Sequence, residues 1–223
     1  MEPKVWPFDD LVVRTPRLEL RLPTDDDLVA LGETAAAGIY PDDQPVPFLV
    51  AWNRDKSRPE LIRSVLQWGW RCRGELTAES WQLGFAVICD GRAVGVQSIK
   101  ADEFATAREI DSGSWIGQEH QGQGIGREMR MAVLQLAFAG LGALSARSSA
   151  FTFNPASISV SDRVGYQRDG IDVRTRDGER LECLRFRMTR DQWEKVSPGW
   201  PEITIDGVDP CRPLLLGDDH QPE

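Results

Sequence analysis

Residues 121–126, Gln121-Gly122-Gln123-Gly124-Ile125-Gly126, are suited to one kind of chemistry, the holding of phosphate. Alternate glycines let backbone N–H groups approach an anion without obstruction and let the chain enter positive-φ conformations. Just downstream, Met129, Val133, Leu134, Ala137, Phe138 and Leu141 recur at helical spacing, so the glycines fall where a long helix opens. Unpaired first-turn amides and the positive end of the helix dipole converge at such a place. Arg127 adds a positive charge beside it.

Two familiar nucleotide motifs fail here. The dinucleotide fingerprint would need glycine at 122, 124 and 127, but residue 127 is arginine and Gly126 is out of phase. A P-loop needs Gly-Lys followed by Ser or Thr, which does not occur.

The elements that must position this segment follow from periodicity. Residues 17–22 alternate apolar and polar and read as a half-buried strand. Thr24 and Asp27 stand at capping-box spacing ahead of Leu28 and Leu31, with Asp where Glu or Gln is usual, so a helix starts there. Pro41, Pro45 and Pro47 exclude helix from residues 38–48 and predict a shaped loop near the substrate. Residues 60–73 are amphipathic at helical spacing. Residues 81–89 and 93–100 flank Asp90-Gly91, a two-residue hairpin signal, and 109–117 supply the next strand. After the glycine turn and its helix come a strand at 144–151 and a short helix at 155–164 ending on Gly165. Strands at 166–173 and 181–188 surround Asp177-Gly178. This order predicts an α/β fold with a mixed sheet. The pattern fades beyond Arg190, where Trp193, Trp200, Ile203 and Ile205 serve as anchors for a docked tail.

Composition bounds the rest. With 223 residues, 41% apolar and 27% charged, the chain has ordinary globular make-up. No apolar run approaches the roughly 20 residues of a membrane-spanning helix, and residues 1–6 show no signal-peptide pattern. A cytoplasmic protein is expected. Net charge −9 argues against phosphate-backbone binding and favours a small or cationic partner. Cys72, Cys89, Cys183 and Cys211 are scattered, with only His120 and His220 to complement them, so buried free thiols are expected and no metal site.

The glycine segment also matches the Q/R-x-x-G-x-G/A motif of the GNAT acyltransferases, with Gln121, Gly124 and Gly126 at the defining positions. Residues 15–22 resemble the start of that superfamily's RimJ/RimL branch. Residues 111–116, Asp-Ser-Gly-Ser-Trp-Ile, are similar to its E-x-G-Y-W-I strand, with Asp for Glu and Ser114 for Tyr. Asn154-Pro-Ala-Ser157 followed by Val164-Gly165-Tyr166 looks like its N-x-x-S and x-G-F segments. The resemblance spans about residues 11–190 and keeps its serial order.

What it implies is specific. The fold would be GNAT-like: a mixed, mostly antiparallel central sheet flanked by helices and splayed around a coenzyme A cleft. Residues 11–190 would form the acyltransferase domain, and 191–223 an extension docked on it or at an oligomer interface. Trp115 and Ile116 would contact the pantetheine of acyl-coenzyme A, while Gln121, Gly122, Gln123, Gly124, Ile125, Gly126 and Arg127 would hold its pyrophosphate. Asn154 would bond the pantetheine, although a helix N-cap explains it equally well. Ser157 would be the general acid, in place of the tyrosine of many relatives, whose position here holds Ser161, the alternative acid on the same helix face. The RimL-type basic glutamate falls near Arg176, so Asp111 is preferred as base, with Asp172, Asp177 and Glu179 as alternatives. A carboxylate in that role needs a raised pKa or a water relay.

Trp68, Trp70, Trp81 and Trp115 could line an acceptor pocket, with core packing or an oligomer interface the better reading. Arg54, Arg58 and Arg63 could pair with the carboxylate of a succinyl donor, and a solvated helix face explains them equally, so acetyl-CoA and succinyl-CoA both stay open. The resulting expectation is direct transfer of an acyl group to an amine of a small molecule or protein N-terminus, by a homo-oligomer that uses no metal. A coenzyme A-binding sensor or interaction protein with little activity is the competing expectation.

Overall fold

Two long β-hairpins, one central in the sheet and one at its edge, turn where the sequence carries Asp-Gly. Asp90 and Gly91 take φ of 49° and 74°, and Asp177 and Gly178 take 52° and 80°. These left-handed pairs match the twist of the strands they join. In the computed structural model, which describes residues 4–217, the first hairpin joins β3 (Ser80–Cys89) to β4 (Arg92–Asp102) and the second joins β7 (Gln167–Arg176) to β8 (Glu179–Thr189).

With β1 (Val12–Arg14), β2 (Leu18–Arg21), β5 (Glu109–Ile116), β6 (Ser145–Phe151) and β9 (Thr204–Asp206), they form a nine-stranded sheet in the order β7-β8-β6-β5-β4-β3-β2-β1-β9. The sheet is mixed and mostly antiparallel, since β5 and β6 alone among its neighbours run parallel. The strand read over residues 17–22 is β2, and a further short strand, β1, precedes it, because the chain reverses at Thr15-Pro16 and pairs Val13 with Leu20.

Helices cover the two faces separately. On one face lie α1 (Asp25–Ala37) and α2 (Arg58–Gly74), packing Leu28, Leu31 and Val65 against Ala86 and Val96. On the other lie α4 (Ile125–Gln135) and α5 (Pro155–Val164), which join the larger core around Phe85, Val87, Ile99, Ile110, Met129, Val133 and Phe186. Between β4 and β5 lies the single turn α3 (Phe104–Ala107), and α4 ends in a π-helical turn at Leu136–Gly140. The helix predicted from residue 60 begins at Arg58, because Ser57 and Glu60 form a reciprocal capping box with Pro59 in the first turn.

The chain beyond residue 190 is more structured than its fading pattern predicts. Thr189 and Gln192 cap α6 (Arg190–Val196), β9 pairs antiparallel with β1, and Cys211, Leu215 and Leu216 of the last turns are buried in the main core. Met1–Pro3 at the N-terminus, residues 218–223 of the extension and with them His220 lie outside the described residues. No helix among the described residues is long and apolar enough to cross a membrane.

The α1 cap carries a pH-dependent contribution. Burial disfavours the Asp27 anion, but the Arg21 guanidinium and the Thr24 amide and hydroxyl outweigh it and hold its carboxyl below the ordinary value. A carboxyl lowered on folding stabilises above its unfolded pKa, and that stability is lost as pH falls through the folded value. Asp27→Asn is therefore expected to cost about 1 kcal/mol in urea unfolding at pH 7. Repeating the measurement at falling pH, through the lowered folded value of Asp27, should bring variant and wild type together; a deficit independent of pH would rule out the ion pair as its source.

Candidate functional site

β5 and β6 form the walls of the site. They are joined only where Glu109 faces Ser145, Ile110 faces Ala146 and Asp111 faces Arg147. β5 keeps its pairing to β4 through Ile116, and β6 keeps its pairing to β8 through Phe151. Beyond the Asp111–Arg147 rung the sheet is thus closed on its outer sides and open in the middle. Ser112 marks the point of divergence, its Oγ donating to the Arg147 carbonyl at 3.1 Å. Backbone groups of residues 113–116 that face the opening have no strand partner, as an extended ligand would require.

Strand pleating divides the side chains. Ile116 turns toward α4, within 3.3 Å of where a Gly126 Cβ would stand. Trp115 turns to the opposite face and packs on Trp52 with ring centroids 5.8 Å apart. The two therefore share a backbone edge but not a face.

The glycine turn follows β5 through a short 3-10 helix, Gln118–His120. Gly122 and Gly124 take φ of 73° and 80°, and Gly124 caps α4 in the left-handed conformation. Only at Arg127 and Glu128 do amides bond back, both to the Gly124 carbonyl at 3.1 and 3.2 Å. Among the described residues the amides of Gly122, Gln123, Gly124, Ile125 and Gly126 donate to no protein acceptor. This is an anion cradle in both geometry and dipole. Ile125 offers only its amide, since its side chain is in the core. The Gln121 side chain is spent within the protein, donating to the Ile39 and Ile116 carbonyls at 2.6 and 2.9 Å. It ties the turn to the end of β5 and to the loop after α1. Arg127 is exposed beside the turn.

Two arginines missed by motif reading also converge here. Arg17 donates to the Gln123 carbonyl at 3.0 Å and to Glu128 at 2.7 Å. Glu128 is 7% exposed and is also held by Thr15. Arg17 therefore turns the Gln123 carbonyl away from the amide cradle. Arg130, on α4, is 3% exposed and enters the opening itself. It donates to Ser148 of β6 at 2.8 Å, Ser114 of β5 at 3.2 Å and Gln97 of β4 at 3.4 Å. Periodicity marks both positions as polar but gives no sign of their partners.

Asn154 is the N-cap of α5, its Oδ1 accepting from the Ser157 amide at 3.1 Å. This leaves its Nδ2 as a donor. Ser157 is half-buried in the first turn, whereas Ser161 is fully buried with its hydroxyl unpartnered among the described residues. Asp111 faces the other side of the sheet, away from α5. Both its oxygens accept from Arg147, at 3.1 and 2.7 Å, in a charged row continued by Glu109 and Arg187. Asp111 and Ser157 are not brought together.

On the Asp111 face the proline-rich loop and the β7–β8 turn meet. Arg176 donates to the Val46 and Phe48 carbonyls at 2.7 Å, and Arg54 pairs with Asp177 at 2.9 Å. Beneath them Tyr40, Phe48, Trp52 and Trp115 pack in series. An open cleft of about 530 Å³ adjoins this arch, lined by Gly38, Tyr40, Asp42, Asn53, Asp55 and Arg58 among others. Asn53 Oδ1 is buried there without a partner among the described residues. Of the other tryptophans, Trp81 lies in the core, Trp68 packs over Gly84 and Trp70 is half exposed. Arg58 pairs with Glu33 at 2.6 Å and Arg63 lies exposed on α2. The four cysteines are free, and burial pushes Cys72 up to about 11 and Cys211 up to about 12.

A family model described as an acetyltransferase (GNAT) domain matches residues 17–167. Among solved structures, Mycobacterium smegmatis RimJ in complex with CoA-disulfide superimposes with a TM-score of 0.67 at 20% identity, covering 88% of this chain and 98% of that one. A RimL ribosomal L7/L12 alpha-N-protein acetyltransferase in complex with coenzyme A gives 0.59 at 17% identity, over 80% and 97% of the two chains. A spermidine N-acetyltransferase SpeG chimera from Vibrio cholerae and hSSAT gives 0.60 at 18%, over 80% and 98%. At these identities the likeness is one of fold.

Proposed function

Because the chain belongs to the GNAT acetyltransferase family, we propose that it moves an acetyl group from acetyl-coenzyme A to an amine, on a small molecule or a protein N-terminus, in a ternary complex. The observation that carries this reading is the run of unpartnered amides at residues 122–126 beside an opened sheet. In this proposal those amides and Arg127 bind pyrophosphate, and Arg17 keeps the Gln123 carbonyl clear of it. Gln121 acts by placing the turn. The end of β5 at Trp115 and Ile116 and the Asn154 Nδ2 meet the pantetheine. Acetyl is preferred to succinyl because Arg54 and Arg58, which a distal carboxylate would need, already face Asp177 and Glu33.

The acceptor is assigned to the cleft on the Asp111 face, where the unpartnered Asn53 Oδ1 supplies an acceptor for an N–H group. The names of two structural neighbours, a ribosomal L7/L12 alpha-N-protein acetyltransferase and a spermidine N-acetyltransferase chimera, agree with an amine acceptor. Asp111 is assigned there as an anchor held by Arg147, since proton abstraction would require that pair to open. Rate then comes mainly from holding a neutral amine against the thioester, with Ser157 giving a proton to the departing sulfur. Residues 11–190 are assigned to the transferase domain and 191–223 to an extension, whose docking on that domain is supported by the β9–β1 pairing.

Release of free thiol from acetyl-CoA and succinyl-CoA across a panel of amines and peptide N-termini tests the reading. Acetyl transfer is expected; tight donor binding with no transfer to any acceptor would favour a coenzyme A sensor. Ser157→Ala is expected to leave coenzyme A affinity within about twofold and to lower kcat by about 100-fold. A kcat equal to wild type would remove Ser157 from the chemistry.

A further inference from the structure

Arg130 carries a buried positive charge with no carboxylate in ion-pair reach among the described residues. Its partners Gln97, Ser114 and Ser148 are all neutral. A charge buried against neutral dipoles alone is costly, and three polar side chains spread over three strands do not by themselves need a cation. What the arrangement does create is a fixed positive charge in the opening between β5 and β6, just beyond the Ser112 divergence point. Tyr166 closes the same floor, its hydroxyl 3.2 Å from Ser112 Oγ, and its burial pushes it up, so it remains a neutral group there. The acidic side chains nearest in sequence, Glu109 and Asp111, point to the opposite face and are matched by Arg147 and Arg187.

We propose that Arg130 is a catalytic residue whose guanidinium stabilises the negative charge that gathers on the coenzyme A sulfur as the thioester breaks. The inference rests on the donor placement given above. In the step, the amine nitrogen bonds to the acyl carbon and the C–S bond breaks with its electron pair passing to sulfur. The nitrogen loses its proton to solvent, sulfur gains one through the Ser157 hydroxyl, and that hydroxyl recovers its proton from solvent. A positive group already fixed in a site shielded from water needs no reorganisation as that charge appears.

The experiment uses the full chain with coenzyme A and reads ionisation of the bound thiol by its thiolate absorbance across pH. Wild type is expected to hold the bound thiol at a lower pKa than free coenzyme A. In Arg130→Gln that pKa should rise by about one pH unit or more, and kcat for acetyl transfer should fall about 100-fold. Coenzyme A affinity should change by less than about threefold, and Arg130→Lys should restore part of the thiol shift. A purely structural arginine would lower stability and leave the thiol unmoved. If the thiol bound to wild type titrates as in free coenzyme A, the proposal fails whatever the variants do, and it fails equally if Arg130→Gln titrates like wild type. If wild type does not bind coenzyme A, the donor placement falls and this inference with it, an outcome distinct from binding without a thiol shift.

Discussion

Gly124→Trp is expected to abolish useful coenzyme A binding, with an affinity loss of at least about 100-fold, or about 2.7 kcal/mol. Two effects act together. The residue takes φ of 80° at the N-cap of α4, a conformation that costs an L-residue about 1–2 kcal/mol. Its Cβ would also stand 3.4 Å from Arg17 Nη2, so an indole must either displace Arg17 or project over the amides of residues 122–126. Displacing Arg17 frees the Gln123 carbonyl and weakens its hold on Glu128, a buried carboxylate. Calorimetric titration with coenzyme A, alongside a melting curve to establish folding, checks the result. Unchanged affinity in a folded variant would place the pyrophosphate elsewhere.

Gly95→Ala should be the most damaging small substitution in the sheet. Gly95 of β4 pairs with Ile116 at the end of β5. A Cβ there would overlap the Trp115 carbonyl oxygen and stand 2.9 Å from the Ile116 Cα. These are backbone atoms, so no rotamer change relieves the contact and the two strands must part. The adjoining Gly117 amide bond to the Val94 carbonyl, 2.9 Å, would go with them. Overpacking of this kind costs about 3 kcal/mol at the upper end, which for a chain of this size lowers Tm by about 2–4 °C per kcal/mol. Because β5 delivers the glycine turn, coenzyme A affinity should fall as well, by about tenfold. Urea unfolding and donor titration on the same preparation check both; a variant as stable as wild type would mean that the β4–β5 spacing yields more readily than backbone packing allows.

Much of this fold was legible because its determinants are local. Asp90-Gly91 and Asp177-Gly178 turn where their composition predicts, and Thr24 with Asp27 starts α1 as their spacing predicts. Boundaries failed where a local signal was passed over. Ser57 and Glu60 are a capping box in plain view, as are Thr189 and Gln192. Nothing local announces β9, whose three residues are a strand only because β1 lies beside them. The candidate site divides in the same way. Its glycines could be read from spacing and Asn154 and Ser157 were singled out by the family resemblance, whereas Arg17 and Arg130 read only as polar positions in a strand and a helix.

The sequence by itself determined where the two Asp-Gly hairpins turn, most of the longer helices and strands, and that a long helix opens on a glycine run able to meet an anion. Those outcomes depend on backbone conformation over a few residues, and side-chain type biases it directly. The tertiary structure alone decided which groups face one another. It parted β5 from β6 after three parallel pairs, set Asp111 and Ser157 on opposite faces of the sheet, and carried Arg130 into the opening between the strands. The physical reason is that strand pleating and helix packing assign each side chain to a face, and partners on that face come from distant positions in the chain.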